Sequence, residues 1–346
     1  MASVVETLLG SEDPCVRYRA LVDVCGVSPA CRRARREWEA IRTSARVRKL
    51  LSPRGPDGRM PGVYSKYTGA HWALADLADI GYPPGDGALA PLRDQVYEYW
   101  LAPARTRERV VDGEAARYKS RPGVPIIEGR ARRCASQEGN ALYATLVLGL
   151  ADERADRLAA NLVRWQWPDG GWNCDRKASA RTSSFHETLL PLRGLARYAK
   201  LTGAAAPSRA VEACCECFLG RKLFRRLRDG AVIHESFLKL RYPHYWQYDI
   251  LIALKVMVEA GRIGDPRCGE ALDVLESKRL PDGGWRAEGK HYRVVDEPAN
   301  GGSMVDWGLV SRKQVMNAFV TLDALYVLRA AGRLELDGPA FAATAQ

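Results

Sequence analysis

The sequence predicts an all-α protein built on a repeat of about 56 residues, and three observations lead there. Asp-Gly pairs fall at Asp57, Asp112, Asp169, Asp229 and Asp282, in steps of 55, 57, 60 and 53 residues. Asp337 continues the spacing and Asp86 falls out of register. After each of the first five pairs and a polar loop, Leu, Ile, Val, Ala and Met recur at spacings of three and four, the signature of one helical face. Nothing alternates with period two over a useful length. Asp bonds its own backbone and Gly supplies positive φ, so each repeat reads as helix, Asp-Gly turn, loop, helix.

The elements follow in chain order. DPCVRYRALVDVCG (13–26) is a short first member of the post-turn series. KYTGAHWALADLADIG (66–81), ARRCASQEGNALYATLVLGL (131–150) and SSFHETLLPLRGLARYAKLTG (183–203) follow, then HYWQYDILIALKVMVEAG (244–261) and SRKQVMNAFVTLDALYVLRAAG (311–332). Gly81, Gly203, Gly261 and Gly332 fit left-handed helix caps. Shorter amphipathic helices precede the turns, in ALAPLRDQVYEYWLA, RADRLAANLVRWQW, AVEACCECFLGRKLF and ALDVLESKRL. Val110 to Arg130 is the longest non-periodic stretch and reads as a long loop at a cavity rim. Six helices joined by six others close into a double ring or extend as a solenoid, and the pattern alone does not choose. With no Pro/Gly/Ser-rich linker, residues 1–346 read as one domain.

Composition narrows the classes. No apolar run reaches 18 residues and no charged-then-apolar leader opens the chain, so neither a membrane span nor a signal peptide is expected. Nine cysteines without framework spacing, among them Cys25, Cys31, Cys214, Cys215 and Cys217, fit reduced thiols in a cytoplasmic protein. The net charge of +11 is mostly Arg, scattered and without a nucleic-acid motif. A phosphate-bearing substrate is the more specific reading of that charge.

WPDGGWNCD (167–175) and LPDGGW (280–285) resemble the repeats of the superfamily that holds squalene-hopene cyclases and protein prenyltransferase β subunits. The resemblance covers essentially the whole chain and implies an (α/α)6 toroid, a double ring of inner and outer helices. It makes Asp169, Gly170, Trp172, Asp282 and Trp285 structural, tying outer helices together. The Asp-x-Asp-Asp cluster with which the cyclases protonate an alkene is absent, and Asp76, Asp79 and Asp249 stand outside such a motif.

Prenyltransferase β subunits are similar in the layout of their zinc residues. Cys134 opens one helix of the series and His186 the next, and the Gly170–Asp175 loop lies between. Arg132 stands where that family carries a zinc Asp, so Cys174 is the substitute. The resemblance therefore implies a zinc site of Cys134, Cys174 and His186 with its fourth position open. Cys/Cys/His zinc on an α/α toroid also occurs in lanthionine cyclases, whose Cys-His-Gly signature is absent here. The alternatives are buried thiols and a histidine that caps its helix.

Asp175 is a magnesium or diphosphate contact, or a turn aspartate. Arg132, Lys177 and Arg181 are candidates to neutralise the diphosphate of an isoprenyl substrate. His71, Trp72, Tyr245, Trp246, Tyr248 and Trp307 lie near helix starts, as walls of an apolar cavity or as core packing; aromatics there suit carbocation chemistry. Asp249 is a candidate to orient His186 or act as an acid. The expected function is a terpenoid cyclase- or prenyltransferase-like enzyme acting on a hydrophobic substrate. The rivals are a non-catalytic toroid that binds a hydrophobic ligand or partner protein, and a thiol-activating cyclase.

Overall fold

The computed structural model describes residues 3–111, 122–310 and 313–334. The chain is mostly helical. It opens with α1 (Val4–Leu9), α2 (Pro14–Arg19, running on through a wider turn to Val24), α3 (Arg32–Arg42) and α4 (Ala45–Leu51). Then come α5 (Ala70–Asp79), α6 (Ala90–Trp100), α7 (Pro103–Thr106), α8 (Ala135–Val147) and α9 (Glu153–Arg164). The remainder holds α10 (Phe185–Thr202), α11 (Ala205–Leu219), α12 (Ile250–Glu259), α13 (Gly269–Ser277) and α14 (Ala318–Ala330). Gly81, Gly203, Gly261 and Gly332 all take positive φ at the ends of α5, α10, α12 and α14.

Two small sheets depart from the all-helical expectation. β1 (Glu108–Val110) pairs parallel with β2 (Val124–Ile127), which pairs antiparallel with β3 (Arg130–Ala131). The described ends of the expected long loop are thus anchored by strands. β4 (Arg293–Val294) and β5 (Gly302–Ser303) form the second sheet.

Four of the Asp-Gly turns are closed by a backbone hydrogen bond, three across four residues and the Asp229 turn across five. Gly55 N–H donates to Arg59 O, Trp167 N–H to Gly171 O, Arg226 N–H to Ala231 O, and Leu280 N–H to Gly284 O, at 2.8–2.9 Å. Gly58, Gly170, Gly230 and Gly283 hold φ between +67° and +93°, which a side chain would strain. The two PDGG turns match further. Trp172 Nε1 donates to Leu162 O and Trp285 Nε1 to Leu275 O, each ten residues back. Trp172 N–H meets Thr188 Oγ1 on α10, and Trp285 N–H meets Thr321 Oγ1 on α14. Asp169 differs from its counterparts, because it accepts from Ser183 N–H and Oγ at 2.7 and 2.6 Å and so closes the loop before α10. Asp112 and Asp337 lie outside the described residues.

The post-turn helices pack on one another in chain order: α5 on α8, α8 on α10, α10 on α12, α12 on α14, and α14 on α2 and its continuation. The α8–α10 contact is closest where Gly139 faces Leu190 and Pro191 and Gly194 faces Gly139 O; a Cβ on either glycine would collide with backbone. One large cluster of buried apolar side chains includes Trp72, Trp172, Trp285 and Trp307.

Candidate functional site

An isolated parallel bridge pairs Arg132 with Asn173 and so lays the segment before α8 beside the loop after the first PDGG turn. Cys134, the N-cap residue of α8, and Cys174 are thereby brought together. Glu187, on the first turn of α10, completes the group. The two sulfurs and a Glu187 oxygen all lie within 4.8 Å of one another, the one such metal-competent cluster among the described residues.

The cluster is wired asymmetrically. Cys174 Sγ–H donates to Glu187 Oε1 at 3.3 Å, while Glu187 Oε2 accepts from Ser136 N–H and Ser136 Oγ at 3.0 and 2.9 Å. The hydrogen bond from Cys174 lowers the Cys134 pKa, helped by the Arg133 charge and opposed by burial and Glu187. The same bond, together with burial, pushes the Cys174 thiol far up. Burial raises Glu187 despite its Ser136 bonds. Of the two thiols, Cys134 is the one whose ionisation these surroundings favour. Arg133, buried beside it, pairs with Glu138 at 2.5 Å.

His186 does not join this cluster, which corrects the expected ligand set. Successive residues of a helix point about 100° apart, so Glu187 turns toward the thiols and His186 turns away. His186 Nδ1 instead accepts from Tyr248 N–H at 3.0 Å, and its ring lies edge-on to Phe237, Trp246 and Tyr248. Burial lowers its pKa. Asp249 does not orient His186 either: its Oδ1 caps α12 through Leu251 and Ile252 N–H, and His244 Nδ1 lies 3.4 Å from its Oδ2.

The remaining candidates separate into structural and open positions. Arg132 is buried, bonded to the carbonyls of Ala180 and Ile127 and stacked over Trp167, so its guanidinium is engaged in holding the loop. Asp175 is exposed and accepts from Lys177 N–H, the geometry of a turn; Lys177 and Arg181 are exposed. Tyr248 OH is tied to Leu223 O.

His71 is buried, accepts from Trp100 Nε1 at 3.2 Å, and has its pKa lowered by burial to about 3. It belongs to a continuous aromatic cluster. Tyr64 contacts His71, Trp72 and Trp100; Trp72 lies edge-on to Tyr67 and Tyr245, which stack 3.7 Å apart. Trp246 is half-buried beneath Lys66 Nζ. Burial raises the Tyr64 pKa, and the charges of Cys134 and Glu187 raise it further, so the cluster borders the thiols.

Sequence reasoning passed over Glu187, Tyr64 and the state of Asp76. The signal for Glu187 was present in its place beside His186 on the first turn of a helix that follows the PDGG loop. Asp76 is 4% exposed, its Oδ2 has no partner among the described residues, and burial raises its pKa well above the usual carboxylate range.

A second polar centre joins the helices. Arg19 of α2 pairs with Asp323 of α14, Lys255 of α12 with Asp79 and Asp323, and Arg193 of α10 with Asp79 and Glu259, at 2.6–3.0 Å. His244 is buried at 3.4 and 3.6 Å from Asp249 and Asp323. Burial opposes its charge, but the two carboxylates win and raise its pKa to about 9.

No family model and no curated protein matches the sequence. Among solved structures the chain is similar to a protein from Actinoplanes, at 17% identity over 92% of this chain and 90% of that one, with a TM-score of 0.41. It is also similar to two variants of the type II terpene cyclase MstE from Scytonema in complex with geranylgeranyl dihydroxybenzoate. Those share 16% identity over 84% of this chain and 96% of theirs, with TM-scores of 0.27 and 0.26. No helix among the described residues is long and apolar enough to cross a membrane.

Proposed function

We propose that the chain is a zinc-dependent enzyme for a hydrophobic, isoprenoid substrate, built as a single (α/α)6 toroid in a reducing cytoplasm. The observation that carries the reading is the Cys134–Cys174–Glu187 cluster. Two thiols and a carboxylate are a donor set that zinc accepts, and three protein ligands leave a fourth position open. The wiring fits as well: Ser136 fixes the outer Glu187 oxygen, and Cys134 sheds its proton most readily. A bound zinc supplies Lewis acidity, which lowers the pKa of a thiol or water in the open position.

The chain's own residues supply the rest. Tyr64, Tyr67, Trp72 and Tyr245 are rings whose faces suit positive charge developing on an apolar chain. Lys177 and Arg181, exposed on the loop that carries Cys174, would neutralise a diphosphate head, and Asp175 would hold magnesium beside it. The return of α14 to α2 is what a closed ring requires, and it supports the toroid. The test is consumption of geranyl, farnesyl or geranylgeranyl diphosphate with a thiol acceptor, lost in Glu187→Gln.

Asp76 favours a second reading, in which the substrate alkene is protonated. A buried carboxyl with a raised pKa and one oxygen without a partner among the described residues is a candidate donor for that step. Acid-initiated cyclisation abolished by Asp76→Asn, with Cys134→Ser active, selects this reading over the zinc one.

A further inference from the structure

We propose that the chain carries a second binding site, for the oxyanion group of a small organic phosphate or carboxylate, in the cavity at the C-terminal ends of α5, α8, α10 and α12. The cavity has a volume of about 370 Å³ and reaches from Asp79 and Val147 across to Glu259 and Tyr326. Cys134 sits at the opposite end of α8, about 20 Å away at 1.5 Å rise per residue. This site is thus independent of the metal reading.

Charge is the first argument. Five cations line the cavity, Arg19, Arg193, Arg197, Lys200 and Lys255, against three carboxylates, Asp23, Asp79 and Glu259. Asp323, just behind the wall, pairs with Arg19 and Lys255 and still leaves the cations in excess. Arg19, Arg193 and Lys255 are neutralised within the network, whereas Arg197 and Lys200 have no ion-pair partner among the described residues.

The second argument is unmet donors. Arg19 is 3% exposed, and its Nη1 has no hydrogen-bond partner among the described residues although Nε and Nη2 are both engaged. Arg197 Nε is likewise buried and without a partner among the described residues. A buried guanidinium nitrogen without an acceptor is costly, and both arginines line this cavity. Tyr143 OH accepts from Arg193, which leaves its own proton for a further acceptor.

Helix C-termini disfavour anions and attract cations, and that explains Lys200 in the last turn of α10. It does not account for the unmet hydrogen-bonding capacity of Arg19 Nη1 and Arg197 Nε. The volume also exceeds that of a bare phosphate, and Tyr18, Tyr143 and Tyr326 provide walls for an organic body.

The experiment is calorimetric titration of the full chain with inorganic phosphate, pyrophosphate and malonate. The proposal expects saturable binding of at least one, and comparison of the phosphate and malonate arms identifies the preferred oxyanion. Arg197→Gln combined with Lys200→Gln should weaken that binding at least tenfold, and Lys200→Gln alone, at an exposed position, should weaken it in the same direction. Lys177→Gln combined with Arg181→Gln should leave the malonate and inorganic phosphate arms unchanged, which separates this site from the diphosphate head of the proposed substrate. Failure of all three anions to bind, or undiminished affinity in both the Arg197/Lys200 double variant and Lys200→Gln, overturns the proposal.

Discussion

Arg19 Nη2 donates to Asp323 Oδ1 at 2.6 Å and joins α2 to α14 across 304 residues of sequence. The carboxylate is fully buried and also takes Lys255, so the first and last helices of the series are held by one shared anion. Removing Asp323 leaves buried Arg19 with Asp23 alone and buried Lys255 with Asp79 alone. Asp323→Ala is expected to destabilise the fold by about 3–5 kcal/mol. Asp296→Ala, which breaks the exposed Lys49 pair, should change stability by less than about 1 kcal/mol. Urea unfolding of both variants checks the contrast.

His244 makes stability depend on pH. Its folded pKa is raised to about 9, above the ordinary 6.5, so its contribution is fully present below pH 6.5 and lost as pH rises through 9. The expected loss is on the order of 3 kcal/mol. Unfolding midpoints between pH 6 and 10 should fall for the wild type and flatten for His244→Gln.

Two glycines separate close packing from backbone conformation. Gly139→Ala places a methyl into the backbone of α10 and should cost more than about 3 kcal/mol. At Gly203 the space is open and only the positive φ resists, so Gly203→Ala should cost about 1 kcal/mol. A melting series of the two variants decides between them.

The turns and helix existence were legible in the sequence because their chemistry is local. Asp-Gly demands positive φ, and Gly58, Gly170, Gly230 and Gly283 deliver it. Helix starts were less legible. The 244–261 segment begins its helix at Ile250, because Asp249 is the cap and Tyr245 takes φ of +51°. β1–β3 were missed because strands of two to four residues are too short to show a period. The cysteine pair was legible from helix position, but the choice between His186 and Glu187 was not, since one residue of helix phase decides it. Arginines that looked scattered include Arg19 and Arg193, whose partners lie in distant helices.

An isoprenyl diphosphate should stabilise the fold. At about 100 times its dissociation constant the gain is roughly 2.7 kcal/mol. Inorganic pyrophosphate at the same concentration should not reproduce the full shift in an Arg197→Gln/Lys200→Gln background, where the second anion site is disabled and the apolar tail is what differs.

Zinc content per chain is the most direct measurement. After purification under reducing conditions with zinc supplied, the wild type should hold about one zinc. Cys134→Ala and Glu187→Gln should lose it, and His186→Ala should keep it, because His186 Nδ1 is committed to Tyr248 N–H. A wild type without zinc, or a His186→Ala variant as empty as Cys134→Ala, contradicts the Cys134–Cys174–Glu187 site.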